Sequence, residues 1–168
     1  MRDSLISKPR RGPLVTAGLF LGIGLGGFVD GILFHQILQI HNMLSARIPV
    51  ADLVSAKINM TWDGYFHAGV WVMTLLGVWL LFRAGTQRNT IWSGKMLSGA
   101  MLFGWGLFNL VEGLIDHQIL GIHHVMEYAI NKFPYDLAFL ISSLILMLAG
   151  WALIRAPGRD SPYSPVQP

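Results

Sequence analysis

Four long apolar stretches alternate with short polar stretches along this chain. The apolar stretches run from about residue 13 to 43, from 66 to 82, from 92 to 126 and from 135 to 154. A helix needs roughly 20 residues to cross the ~30 Å hydrocarbon core of a bilayer. The second and fourth stretches are near that length, whereas the first and third are longer and must protrude. The pattern predicts an all-α membrane protein, a bundle of four transmembrane helices in a lipid bilayer.

A polar pattern near the end of the first apolar stretch occurs again near the end of the third. Residues 29–43 read VDGILFHQILQIHNM, and residues 111–125 read VEGLIDHQILGIHHV. Their polar residues and glycines align at an offset of 82 residues, Asp30 with Glu112, Gly31 with Gly113, His35 with His117 and His41 with His123. We infer an internal repeat, a duplicated two-helix unit with copies at about residues 13–83 and 92–155.

The basic residues predict how the chain lies in the membrane. Nine of the twelve Lys and Arg residues lie in the N-terminal segment, in the loop between the second and third stretches, and in the C-terminal segment. Because cytoplasmic loops carry an excess of Lys and Arg, both termini should be cytoplasmic. We predict a basic cytoplasmic segment over residues 1–12, a four-span membrane domain over 13–155 and a disordered Pro- and Ser-rich cytoplasmic tail over 156–168.

Composition narrows the chemistry that is available. Hydrophobic residues make up 53% of the chain and charged residues only 12%, which is about half the charged share of soluble domains. The net charge of +3 comes from residues that flank the apolar stretches, so no domain for binding nucleic acid is indicated. There is no cysteine, which excludes disulfides, thiolate metal sites and iron–sulfur clusters.

All of the histidines and most of the acids are expected at the extracytoplasmic end of the bundle. The six histidines are His35, His41, His67, His117, His123 and His124. At about 100° per residue, His35 and His117 should face the interface between the first and third helices, along the repeated glycines Gly22, Gly24, Gly31, Gly104, Gly106 and Gly113. His41, His123 and His124 should lie on helix extensions outside the membrane, so that the polar residues form a funnel open to the extracytoplasmic side.

These residue types predict a metal site. A carboxylate inside a span is costly unless it is paired or hydrated, which makes such residues candidates for function. Histidine with Asp or Glu is a common ligand set for copper, zinc or iron. The predicted first ligands are His35, His41, His117, His123 and His124. Asp30, Glu112 and Asp116 are predicted as ligands or as partners that orient the imidazoles, and His67 is a further candidate ligand.

Three alternatives use the same residues. His35 and His117 could hold a b-type haem between two spans, although the nearby acids argue against an apolar haem pocket. A chain of Asp, Glu and His could relay protons, but the polar residues do not continue to the cytoplasmic side. The network could also be purely structural and fix the helix register. An oxidoreductase that uses the metal is compatible with these residues, but no substrate is indicated.

The two polar motifs, GGFVDGILFHQILQIHNM and GLFNLVEGLIDHQILGIHHVME, together with WDGYFHAGVW, resemble a family of small bacterial membrane proteins. The family is catalogued as a domain of unknown function, number twenty-two forty-three, and the resemblance covers about residues 13–155. Its genes often lie near haem–copper oxidase assembly genes. The resemblance thus implies a bacterial inner-membrane protein with four spans, copper handling and oxidase assembly proteins as candidate partners. It implies no particular ligand residues.

Overall fold

The computed structural model describes residues 8–156 and 161–162, and its architecture is all-helical. Four helices follow in the order α1 Gly12–Asp30, α2 Leu53–Thr86, α3 Gly94–Glu112 and α4 Phe133–Arg155. Two π-helical segments, Gly31–Ile37 and Gly113–Ile119, directly continue α1 and α3. With these continuations all four helices are long and apolar enough to cross a membrane. The predicted four-helix membrane fold is therefore confirmed.

The helix ends differ from the predicted ones. The first and third helices end at Ile37 and Ile119, several residues before the predicted ends at 43 and 126. The second helix starts much earlier than predicted, at Leu53. Asp52 caps it, because its carboxylate accepts a hydrogen bond from the Ser55 N–H at 2.7 Å. The first turns of α2 therefore lie in what the sequence pattern left as the loop between the first two spans.

The helices are arranged with α1 and α3 in the centre. These two pack against each other, α2 packs on α1, and α4 packs on α3. Half of the most apolar part of the first span is buried, against 11% for the second and fourth spans. The outer helices therefore expose large apolar side chains such as Trp71, Leu75 and Leu148, as expected for surfaces that face lipid.

Glycines allow the two central helices to approach closely, but at fewer positions than predicted. An added Cβ at Gly22 would overlap the Met101 carbonyl of α3, and one at Gly104 would overlap the Leu19 carbonyl of α1. The other four repeated glycines face the outer helices instead: Gly24 and Gly31 face α2, and Gly106 and Gly113 face α4. The prediction that all six glycines lie between α1 and α3 is wrong, because residues two positions apart point to different sides of a helix.

At the end of the bundle opposite the histidines, the segments before α1 and after α4 contact the loop between α2 and α3. The Arg10 N–H donates to the Asn89 carbonyl at 2.7 Å, and the Ile91 N–H donates to the Arg10 carbonyl at 3.1 Å. Two short strands, β1 Ile91–Trp92 and β2 Ser161–Pro162, pair in antiparallel fashion. Most of the tail predicted to be disordered, and residues 1–7 of the basic segment, lie outside the described residues, so those two predictions stay untested.

Candidate metal centre

A tight turn follows each π-helical segment and returns the chain towards the bundle. In the first segment the Leu38 N–H donates to the Leu33 carbonyl and the Ile40 N–H to the Phe34 carbonyl. The second of these bonds joins residues six apart, one more than the longest bond of a Schellman turn, and the turn that it closes likewise contains a left-handed residue. Gln39 is that residue, with a φ of 50°.

The third helix ends in the same way 82 residues further on. The Leu120 N–H donates to the Ile115 carbonyl and the Ile122 N–H to the Asp116 carbonyl. Gly121 has the left-handed conformation here, with a φ of 53°. The two motifs therefore have matching local structures, while their origin by duplication remains a prediction.

These turns place two histidines where helical phase does not predict them. His41 and His123 follow the turns, and their exposed fractions are 1% and 0%. The expectation that they lie on helix extensions is wrong, because the helical segments end at Ile37 and Ile119. His124, expected on the same extension, also lies beyond the turn. A straight α-helix was assumed, whereas the π-helical segments shift the phase and the left-handed residue then ends the helix.

Four imidazoles form a row at the centre of this end of the bundle. Their order is His35, His41, His123 and His117, and consecutive ring centroids lie 4.5, 4.8 and 4.7 Å apart. The row is bent sharply at both inner rings, since His35 is also only 5.6 Å from His123 and His41 only 6.4 Å from His117. The four rings therefore form a compact cluster with His35 and His117 at its two ends. Each of these two rings also contacts a histidine ring of the opposite motif, His35 that of His123 and His117 that of His41.

The two inner histidines are each held by the opposite motif. His41 Nδ1 donates to the Val125 carbonyl at 3.0 Å, and His123 Nδ1 donates to the Met43 carbonyl at 3.1 Å. A carbonyl oxygen only accepts, so Nδ1 must carry the proton in both rings. In the neutral ring the lone pair then lies on Nε2.

His41 is neutral at ordinary pH. Burial, helped by the charges that His35 and His123 can carry, lowers its pKa to about 3. Its Nε2 is buried and has no hydrogen-bond partner among the described residues. His41 therefore presents an unprotonated nitrogen to the centre of the site, which is the form of histidine that binds a metal ion.

The outer histidine of the first motif lies between two carboxylates. His35 Nδ1 is 2.8 Å from Asp63 Oδ1, and His35 Nε2 is 3.3 Å from Asp30 Oδ2. The first contact is a hydrogen bond. Because the Nδ1 proton is used there, the Nε2 lone pair and the Asp30 oxygen face each other, and a proton or a cation is needed between them.

The outer histidine of the second motif has a similar environment. His117 Nε2 is 3.2 Å from Glu112 Oε1, and His117 Nδ1 is 3.6 Å from Asp136 Oδ1. The same Glu112 oxygen is 3.0 Å from His123 Nε2. One carboxylate oxygen therefore faces two imidazole nitrogens, with His117, His123 and Glu112 all buried.

Sequence reasoning located Asp63 and Asp136 at the correct end of the bundle but left them out of the site. Each accepts a backbone N–H from the loop that precedes its own helix, Asp63 from Met43 at 2.8 Å and Asp136 from Val125 at 3.0 Å. Each also contacts the outer histidine of its motif. The signal in the sequence was their position as buried acids near the start of α2 and α4, which only packing connects to the histidines.

Three predicted ligands lie beside the row and not in it. His67 Nδ1 bonds to the Asp63 carbonyl at 2.7 Å, and its ring stacks on Phe28. His124 Nδ1 is 2.7 Å from Asp136 Oδ2. Asp116 is half-buried in a lateral groove, and its carboxylate has no hydrogen bond within the described part of the chain. These residues are placed to support or flank the site.

Five of the remaining six predicted site residues form two groups that could hold a metal ion. In the first group, ligand atoms of His35, His41 and His123 lie within 4.8 Å of one another. In the second, the same holds for Glu112, His117 and His123. Asp30 joins the first group through His35. His123 belongs to both groups.

Replacing Asp63 with alanine should lower the free energy of unfolding by ~3 kcal/mol or more. The carboxylate accepts hydrogen bonds from His35, from the Met43 N–H and from Asn42 Nδ2, and each buried donor left without a partner costs about 1–3 kcal/mol. Unfolding in detergent, followed by denaturant titration, measures the change. Asp116→Ala is the control and should change stability by ~0.5 kcal/mol or less. Equal losses for both variants would contradict the role given to Asp63.

Comparison with known proteins agrees with the architecture. The profile of one protein family, described as predicted membrane protein (DUF2243), matches residues 17–157. That range includes α2, α3 and α4, all of α1 except its first turn, and both histidine motifs. No curated protein and no solved structure gives a significant match to the chain.

Proposed function

We propose that this chain, which belongs to the DUF2243 family of predicted membrane proteins, binds a transition metal ion through its row of histidines and the adjoining carboxylates. Copper, zinc and iron are the candidates. The chain has no cysteine, and imidazole with carboxylate suits all three of these metals. Copper handling for the assembly of a respiratory oxidase, as the family resemblance implies, is the specific role that copper binding would favour.

The observation that carries this proposal is the common orientation of three imidazoles. His35, His41 and His123 each have an acceptor on Nδ1, a carboxylate in the first case and a backbone carbonyl in the other two. Metal-binding histidines usually have their second nitrogen held in this way, since the bond fixes both the tautomer and the ring orientation. The Nε2 atoms of His35 and His41 then have no hydrogen-bond partner among the described residues, and that of His123 lies 3.0 Å from Glu112 Oε1. Ligand atoms of the three histidines lie within 4.8 Å of one another, close enough to hold a metal ion.

A haem held by His35 and His117 finds less support in this arrangement. The two axial ligands of a haem lie on opposite faces of one porphyrin, so the space between them must admit the ring. In this protein the rings of His41 and His123 pack against those of His35 and His117, with centroids 4.5 and 4.7 Å apart, and take up space that a porphyrin beside either histidine would need. The geometry favours a metal ion bound directly by the protein.

A proton relay and a purely structural network are also less well supported. No titratable residue occurs between residues 12 and 29 or between 96 and 111, which form the inner parts of the two central helices. A structural network would be expected to satisfy its buried polar atoms. Here the Nε2 atoms of His35, His41 and His117 have no hydrogen-bond partner among the described residues.

The site is proposed to face the extracytoplasmic side of a bacterial inner membrane. The argument is the distribution of Lys and Arg, which places both termini in the cytoplasm and the histidines at the opposite end. A reporter enzyme fused after Pro168 should therefore be active only in its cytoplasmic form. An external signal from that fusion would reverse the orientation of the site without changing its ligands.

Metal analysis with an absorption spectrum tests the proposal. The protein is purified in detergent, stripped with a chelator, incubated separately with Cu²⁺, Zn²⁺ and Fe²⁺, and desalted. Retention of one of these ions in stoichiometric amount, without a Soret band, is the expected result. A Soret band in the protein as isolated would favour haem. Failure to retain any of the three ions would overturn the proposal and leave the proton-relay and structural alternatives.

A further inference from the structure

We propose that the site holds two metal ions, each bound by one carboxylate and two imidazoles of a single motif. Asp30, His35 and His41 would bind the first ion, and Glu112, His117 and His123 would bind the second. This inference rests on the proposed function, because it gives the number of ions and the distribution of their ligands. It makes the centre dinuclear, with one ion for each copy of the polar motif.

The two halves of the site match in their contacts. In the first motif Asp30 Oδ2 lies 3.3 Å from His35 Nε2, and in the second Glu112 Oε1 lies 3.2 Å from His117 Nε2. Separations of about 3 Å are those of neighbouring ligands around one ion, since metal–ligand bonds are ~2 Å long. Each pair is thus spaced to share an ion.

The position of His123 explains why the ligands divide between two ions. Its Nδ1 is bonded to the Met43 carbonyl, so only the Nε2 lone pair is available. One lone pair binds one ion. The Glu112 oxygen lies 3.0 Å from this nitrogen, which assigns His123 to the second ion. Asp30, next to His35, then completes the first set of ligands.

Charge balance is compatible with two divalent ions. Asp30, Asp63, Glu112 and Asp136 are all buried, with exposed fractions of 6% or less. Within the described part of the chain, the ion-pair partners of these four carboxylates are imidazoles. Buried carboxylates are costly unless they are paired or bind metal. With neutral histidines, two divalent ions balance four carboxylates and one ion does not.

Both halves of the site contain buried polar atoms that have no hydrogen-bond partner within the described part of the chain. Among the described residues these include Asp30 Oδ2 and His35 Nε2 in one half, and Glu112 Oε2 and His117 Nε2 in the other. A single ion at the first group would leave the second pair unsatisfied, and the reverse also holds. The unpartnered atoms therefore indicate two binding positions.

The number of bound ions per chain can be measured as the ratio of metal to methionine sulfur. The chain has eight methionines and no cysteine, so elemental analysis gives the metal-to-protein ratio from one measurement. The stripped, full-length protein is saturated with Zn²⁺ and, separately, with Cu²⁺, then desalted. We expect two ions per eight sulfur atoms. Asp30→Asn and Glu112→Gln should each retain one ion, and the control Asp116→Asn should retain two.

The outcomes separate this inference from the proposed function. One ion per wild-type chain would overturn the dinuclear centre and leave the metal site standing, whereas no bound ion would overturn both. Two ions retained by both carboxylate variants would also contradict the assignment. If either carboxylate variant fails to fold, as judged by size-exclusion chromatography, His41→Ala and His117→Ala provide the same comparison. Each of them should retain one ion.

Discussion

The double variant His41→Asn, His123→Asn is expected to lose all tightly bound metal. Both inner imidazoles of the row are removed, so each proposed ion loses a ligand. Even the partners behind metal ligands contribute about 10–100-fold to affinity, so loss of a ligand at each ion should lower the affinity by at least ~100-fold. Equilibrium competition with a coloured chelator measures the affinity directly.

Asparagine is chosen because it separates metal binding from folding. Its amide nitrogen can take the place of the histidine Nδ1 and keep the bonds to the Val125 and Met43 carbonyls. The amide offers nothing in the place of Nε2. The variant should therefore remain folded, with a melting temperature in detergent close to that of the wild-type apoprotein.

A matched control removes two histidines from the same end of the bundle. His67 and His124 lie beside the row, and their Nδ1 atoms bond to the Asp63 carbonyl and to Asp136. The variant His67→Asn, His124→Asn should keep both ions, with an affinity change of less than ~10-fold, below the usual effect of a partner behind a ligand. Equal loss of metal from the two double variants would show that the centre does not lie in the row.

The second large effect is expected at the contact between the central helices. Gly22→Val should prevent folding or lower the free energy of unfolding by ~3 kcal/mol or more, at the upper end for overpacked sites. The added Cβ would overlap the Met101 carbonyl, and Gly104 lies against Leu19 in the same contact. Since backbone atoms cannot rotate away, α1 and α3 would have to separate, and the loops that hold His41 and His123 would separate with them.

A glycine on α2 provides the control for this substitution. An added Cβ at Gly69 would meet nothing within 4 Å. Gly69→Val should therefore give folded protein, with a stability within ~0.5 kcal/mol of wild type. Size-exclusion chromatography and thermal unfolding in detergent compare the two variants. Similar behaviour of both would mean that α1 and α3 do not pack as closely as described.

Local sequence patterns were sufficient for the helices and for the end of the bundle that carries the site. Four apolar stretches predicted four spans, because the thickness of a bilayer sets the length of a spanning helix. The segregation of histidines and acids placed the site at one end, because a charged group inside a span is costly wherever the chain folds. Both arguments depend only on how each segment is solvated by water or lipid, which does not require knowing how the segments pack.

The arrangement of the ligands could not be obtained in that way. Helical phase predicted His41 on an extension of α1, whereas the turn at Gln39 returns it to the bundle centre. Asp63 on α2 bonds to His35 and to the Met43 N–H, contacts that no local pattern in the sequence indicates. Both contacts join segments that are far apart in the chain.

The sequence by itself determined a four-helix membrane protein with two copies of a polar motif at one end. The tertiary structure decided that each motif closes over the other, with His41 bonded to the Val125 carbonyl and His123 to the Met43 carbonyl. The physical reason is that burial depends on composition over about 20 residues, whereas the direction of a side chain depends on single backbone torsions and on contacts with distant residues. One left-handed residue in each loop, Gln39 in the first and Gly121 in the second, turns the chain back so that His41 and His123 reach the centre of the site.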